Sequence, residues 1–279
     1  MQKIKTFFLN QNTFVFGAAI FFGAFLMFAV ELMISKKILP WFGGSPSVWT
    51  LSMLFFQVFL LLGYVYAHLL VKYFTPKRQA IIHIILLALS LVFIPVLPKD
   101  FWKPDSVLRP GLDIILLLIA NLGLPFFILS ATGPLLQVWY AKIKPEKSPY
   151  KLYALSNAGS LIGLLIYPFF VEPLAGLKMQ DILWAVLYFL FVVFCVFGAF
   201  YFYKNLKQNT LSLTADKITK SEKKPTKANY LLWILLPTTA SILLLAATNL
   251  MTQDIAVIPF LWVAPLSLYL LSFIFYFFF

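Results

Sequence analysis

The chain has 279 residues, 62% hydrophobic and 11% charged, with 22 Lys and Arg against 10 Asp and Glu for a net charge of +12. An ordinary soluble domain carries about 25% charged residues, so water cannot be the solvent for most of this surface, and a soluble enzyme or soluble binding domain is excluded. The basic residues fall between apolar runs and not on one polar face, which argues against nucleic acid as a partner, and the single cysteine, Cys195, excludes a disulfide framework or a cysteine metal cluster.

Eight stretches free of Asp, Glu, Lys and Arg run from 7 to 30, 38 to 71, 79 to 98, 114 to 141, 152 to 171, 182 to 203, 228 to 253 and 255 to 279. About 20 apolar residues cross a hydrocarbon layer of about 30 Å as a helix. The expected fold is therefore all-α, a polytopic bundle of about eight transmembrane spans near 13–34, 48–73, 79–98, 111–140, 150–171, 180–203, 229–250 and 257–279. The first run has no cleavage-site pattern and is followed by Glu31, so it reads as a span and not as a signal peptide.

Span 1 ends with Glu31, a carboxylate that must be hydrated, paired or protonated so close to hydrocarbon. A cationic ligand would satisfy it, and so would Lys36 or Lys37. Gly43, Gly44, Ser45 and Pro46 then make a turn, with Trp41 and Trp49 suited to head-group level. His68 in span 2 and His83 in span 3 lack a third ligand at metal-binding spacing; hydrogen-bonded helix contacts suit them better, although either could relay protons.

Span 4 carries Asp113 near its start, then Asn121, Gly123, Pro125, Ser130, Thr132, Gly133 and Pro134. Prolines remove backbone hydrogen bonds, so this series predicts a broken or kinked helix beside protein or a watery cavity. Span 5 has Gly159 and Gly163 at a spacing that lets another helix backbone approach, and Asn157 could bond across the bundle. Glu172 and Pro173 close span 5, and Asp181 opens span 6 where an acid suits the helix dipole.

The segment KNLKQNTLSLTADKITKSEKKPTKA, 204 to 228, has seven Lys against Asp216 and Glu222 and reads as a mobile linker able to touch anionic head groups. Sorting all Lys and Arg by side of the bundle puts sixteen with the N-terminus and the segments after spans 2, 4 and 6, and six on the other side. The positive-inside bias then makes the first side cytoplasmic and places both chain ends there.

Glu31-Leu32-Met33 followed by Leu39-Pro40-Trp41-Phe42 is echoed by Asn249-Leu250-Met251 followed by Ile258-Pro259-Phe260-Leu261-Trp262. If the echo is a repeat, span 7 restarts the pattern of span 1. The organisation is then a six-helix membrane half (1–203), a basic linker (204–228) and two helices of a second half (229–279), as in transporters built from parallel halves. Asn249, Gln253 and Asp254 occupy the place of Glu31, so the candidate polar membrane site comprises Glu31, Asp113, Asn121, Asn157, Asn249 and Asp254.

The segments ELMISKKILPWFGGSPSVWTLSMLFFQVFLLLGYVYAH, LSATGPLLQVWYAK, PYKLYALSNAGSLIGLLIYPFFVEPLAGL and TNLMTQDIAVIPFLWVAPLSLYLL resemble the multi-spanning bacterial spermidine-synthase-like proteins. In that family a major-facilitator-like membrane region is fused to a soluble aminopropyltransferase-like domain. The resemblance implies a bacterial inner-membrane module. The soluble domain and its Gly-rich donor-binding turn have no counterpart here, because the only Gly-Gly, Gly43-Gly44, lies in a loop.

Three functions follow as expectations. A transporter-like protein would move or sense a small cation, with polyamines suggested by the family alone. A non-transporting anchor would hold a separate transferase-like subunit, and a truncated, inactive fragment is the third reading. No cofactor, metal or catalytic residue is expected, since neither an H-E-x-x-H motif nor a Ser/His pair on one helix is present.

Overall fold

A computed structural model describes residues 11–43, 46–103, 110–144, 149–212, 225–254 and 263–278. Among these residues the chain is all-helical, with no strand. In hydrocarbon a backbone must satisfy its own N–H and C=O groups, and a helix does so within one segment. The helices are α1 (Gln11–Ile38), α2 (Pro46–Tyr73), α3 (Pro76–Ser90), α4 (Pro110–Ile143), α5 (Tyr150–Leu174), α6 (Leu177–Ser212), α7 (Lys227–Asp254) and α8 (Val263–Phe278).

Seven of them are long and apolar enough to cross a bilayer, and α8 is a shorter apolar helix. The chain is a multi-span membrane protein. Side chains such as Leu61, Leu116, Val186 and Phe197 are exposed on the outside of the bundle, where lipid is the fitting neighbour. Pro46, Pro76 and Pro110 stand at helix starts, where the missing N–H costs nothing. The turn after α1 is closed by Gly43 at φ 78°, a left-handed conformation that favours glycine.

Several boundaries differ from expectation. The third span ends as an α-helix at Ser90, followed by a 3-10 turn at Leu91–Phe93, because Pro95 cannot continue it. The basic segment is not loop throughout: α6 runs on to Ser212, and α7 begins at Lys227. Residues 213–224 of the linker, and the Ile258–Trp262 half of the proposed repeat, lie outside the described residues.

Span 4 is not broken. It is one helix, widened at Ile119–Gly123 into a π turn immediately before Pro125. Proline leaves the carbonyl four residues earlier without its N–H, and a π turn accommodates that loss without severing the helix. α5 does the same at Tyr167–Val171, around Pro168.

The centre of the bundle is α1, packed against α4, α5 and α6, with α2 against α4, α3 against α6 and α8 on the far side of α5. A Cβ on Gly159 would run into the Phe21 carbonyl, and one on Gly163 would come within 2.7 Å of the Phe25 carbonyl. These glycines let α5 lie backbone to backbone along α1, as their spacing predicts. Because the contacts advance together, the two helices are parallel. Helix α7 has α8 as its principal neighbour, and nothing in its central apolar stretch is buried.

The two ends of the bundle differ. At the basic end Lys144 reaches Thr13 at 3.2 Å, and Phe277 of α8 stacks on Tyr150 at 5.5 Å between ring centroids. The start of α1 and the end of α8 therefore share one end of the bundle. At the opposite end Lys36 and Lys37 leave α1 for partners on other elements.

Candidate functional site

Two groups of polar side chains interrupt the apolar interior, one toward each end. Near the basic end, His83 of α3 is fully buried. Thr132 of α4 donates its hydroxyl proton to the Ile128 carbonyl at 2.6 Å, so its oxygen can only accept from His83. Nε2 of His83 is therefore the N–H, donating to Thr132 Oγ1 at 3.1 Å, and Nδ1 accepts from the Tyr66 hydroxyl at 3.4 Å.

One turn away along α3, Gln79 is also buried. Its amide donates to the Phe74 carbonyl at 2.7 Å, and its oxygen accepts from Trp139 Nε1 at 3.0 Å. Trp139 in turn stacks on Phe202 of α6. This cluster pins α2, α3 and α4 with every ring nitrogen satisfied, and its chemistry is complete without a ligand. His83 is a helix contact, whereas His68 is exposed and belongs to no such cluster.

Toward the other end stands Glu31. No hydrogen bond or ion pair among the described residues reaches its carboxylate. The expected lysine partners are engaged elsewhere: Lys36 donates to Glu172 Oε1 at 2.6 Å, and Lys37 to Asp100 Oδ1 at 3.3 Å while lying over the Trp41 ring. The geometric reason is helical phase, since residues five and six positions on point away from Glu31 and toward α5 and the outer loop. Glu31 is half-buried.

The register of the α1–α5 seam carries the level of Glu31 to Phe169, inside the π turn Tyr167–Val171. The surroundings are firmly tied. Tyr167 donates to Gln180 Oε1 at 3.0 Å, Gln180 donates to the Ala175 carbonyl at 2.7 Å, and Trp184 Nε1 donates to the Leu26 carbonyl at 3.0 Å. Asp181 is not in the first turn of α6; it accepts the backbone N–H groups of Val96 and Leu97 at 3.2 and 3.3 Å, holding the outer loop. Gln180, Trp184, Gln79 and Tyr66 escaped the sequence reading. Gln79 and Gln180 carried a signal, being amides at the mouths of apolar runs.

Among the described side chains, Asp113, Asn121 and Asn157 make no hydrogen bond or ion pair with Glu31. Asp113 is half-buried in the first turn of α4, where the helix dipole suits it. Asn121 lies in the π turn of α4 and donates to the Leu117 carbonyl at 2.8 Å. Asn157 does not bond across the bundle; it donates to the Tyr153 carbonyl of its own helix at 2.9 Å, a local side-chain to backbone bond available to any asparagine in a helix. Asn249 and Asp254 belong to the backbone of α7, with side chains outside the described residues, as are the side chain of Trp49 and the whole of Gly44 and Ser45. Among the described residues no group of three His, Cys, Asp or Glu could hold a metal, and Cys195 is free and buried.

Comparison with protein families, with curated proteins and with solved structures finds no match.

Proposed function

We propose that this protein binds a small cationic amine within the membrane and passes it across, with the Glu31 carboxylate as the ammonium acceptor. One observation carries the reading: among the described residues no hydrogen bond or ion pair reaches the Glu31 carboxylate, while both neighbouring lysines are paired with other acids. A bare carboxylate within a span costs a few kcal/mol, and a bound cation removes that cost.

In this proposal the protein is a relative of the spermidine-synthase-like membrane region, with a major-facilitator-like first half and the beginning of a second. It resides in a bacterial inner membrane with the basic end toward the cytoplasm, as the positive-inside bias favours. The experiment is uptake of radiolabelled amine into liposomes containing the purified protein. Glu31→Gln should cut uptake at least tenfold; undiminished uptake removes Glu31 from the account. The competing reading, an anchor for a separate transferase-like subunit, draws on the sparse packing of α7, and recovery of a stoichiometric partner in mild detergent would favour it.

A further inference from the structure

We infer that the turn between α2 and α3 binds an anionic phospholipid, with Lys72, Lys77 and Arg78 around its phosphodiester and its acyl chains along the exposed faces of the two helices. The inference is independent of the reading of Glu31.

Charge is balanced at one end of the bundle and not at the other. The outer side carries six Lys and Arg against seven acids, and both ion pairs of the described residues lie there. The basic side carries sixteen Lys and Arg against three acids, Glu146, Asp216 and Glu222. Were each of those acids to take one cation, most of the positive charge would still need a counter-charge from outside the chain. The positive-inside bias explains the sign of this excess, but it asks nothing of how the cations are grouped or what lies beside them.

Three of them fall within the seven residues 72–78, on either side of the Phe74–Thr75 connection, and all three are exposed. The turn is fixed from inside: buried Gln79 donates to the Phe74 carbonyl and accepts from Trp139, which stacks on Phe202. Lys77 and Arg78 stand in the first turn of α3 with no acid beside them, where the helix dipole disfavours positive charge. Elsewhere at this end Lys144 is engaged with Thr13, and Lys204 and Lys227 stand singly on either side of the linker.

Apolar surface leads up to these cations. Leu61, Val65 and Leu69 of α2 are exposed on the helical face that ends at Lys72, and Ile81, Ile85 and Leu89 of α3 on the face that begins at Arg78. These faces are left open because α2 packs chiefly on α4, and α3 on α6 and α4. At the junction Tyr73 and Phe74 are exposed, with Lys72 Nζ 5.1 Å from the Tyr73 ring centroid, an arrangement suited to head-group level. A free phosphate would use the cations and leave the apolar faces idle, and a lipid without net charge would do the reverse. An anionic phospholipid uses both.

The test is native mass spectrometry of the whole protein, stripped of lipid in neutral detergent and titrated with phosphatidylglycerol or with phosphatidylcholine of the same acyl chains. The first phosphatidylglycerol should bind at a concentration at least about tenfold lower than the first phosphatidylcholine, and inorganic phosphate should not displace it. The triple variant Lys72→Gln, Lys77→Gln and Arg78→Gln should lose the preference, whereas replacing the linker residues Lys217, Lys220, Lys223 and Lys224 by Gln should keep it. Equal binding of the two lipids overturns the inference, and so does a preference that survives the triple variant or disappears with the linker variant. Displacement by inorganic phosphate overturns it in favour of a free-phosphate site. The comparison of the two lipids uses the unaltered chain, so it stands whether or not the triple variant folds.

Discussion

His83 and Glu31 are both ionisable side chains placed within apolar spans, and the bundle treats them in opposite ways. Around His83 two neighbouring helices supply a donor, Tyr66 of α2, an acceptor, Thr132 of α4, and an edge-on ring, Trp139 of α4, so the imidazole is oriented and finished. Around Glu31 the described residues supply no hydrogen-bond or ion-pair partner, and the two lysines of its own helix are paired elsewhere. The difference teaches how to separate structure from function in a membrane interior. A polar group whose hydrogen bonds close within the chain is holding helices together, and one left open at measurable cost is held for something else.

The comparison breaks most violently if the seam between α1 and α5 is forced apart, because that seam sets the level of Glu31 against the π turn. Gly159→Leu puts a side chain where the Phe21 carbonyl stands and should cost about 3 kcal/mol, read as a lowered unfolding midpoint in detergent; an unchanged midpoint would show that the helices do not touch there.

Replacing the open group should have the opposite sign. Glu31→Leu removes an unpaired carboxylate from an apolar span and should raise stability by about 2 kcal/mol while abolishing amine binding, a pairing of effects that a structural acid would not show. The closed group should behave as its converse. His83→Leu strands Thr132 and Tyr66 and should lower stability by about 1 to 2 kcal/mol, with amine affinity kept once the protein is folded. A loss of affinity as large as that of Glu31→Gln would merge the two clusters into one site.

The smallest effect is expected at Lys36 and Glu172. Their bridge is short but its side chains are 41% and 29% exposed, so a double-mutant cycle should give a coupling below about 1 kcal/mol. A much larger value would mean that this end of the bundle is drier than its exposure implies.

Some of the functional geometry was readable before any coordinates. Glu31 stands out because an acid in an apolar run is costly wherever the helix goes, and Gly159 with Gly163 stands out because only a close backbone explains two small residues one turn apart. What escaped was everything that depends on which face meets which. Asn157 looked free to bridge helices and bonds its own carbonyl; Lys36 looked like the natural mate of Glu31 and belongs to Glu172, 136 positions away. Gln79 and Gln180 look alike as isolated amides, yet each is completed by an aromatic side chain from another helix.

By itself, the sequence determined the solvent, the helical class, the approximate spans and the asymmetry of charge between the two ends, because each depends on the local density of apolar or charged residues, which no fold can alter. Tertiary structure alone decided which polar groups are spent and which are spare. Hydrogen bonds and ion pairs act over about 3 Å, and residues that distant in the chain reach such separations only after the helices have chosen their neighbours and their phase.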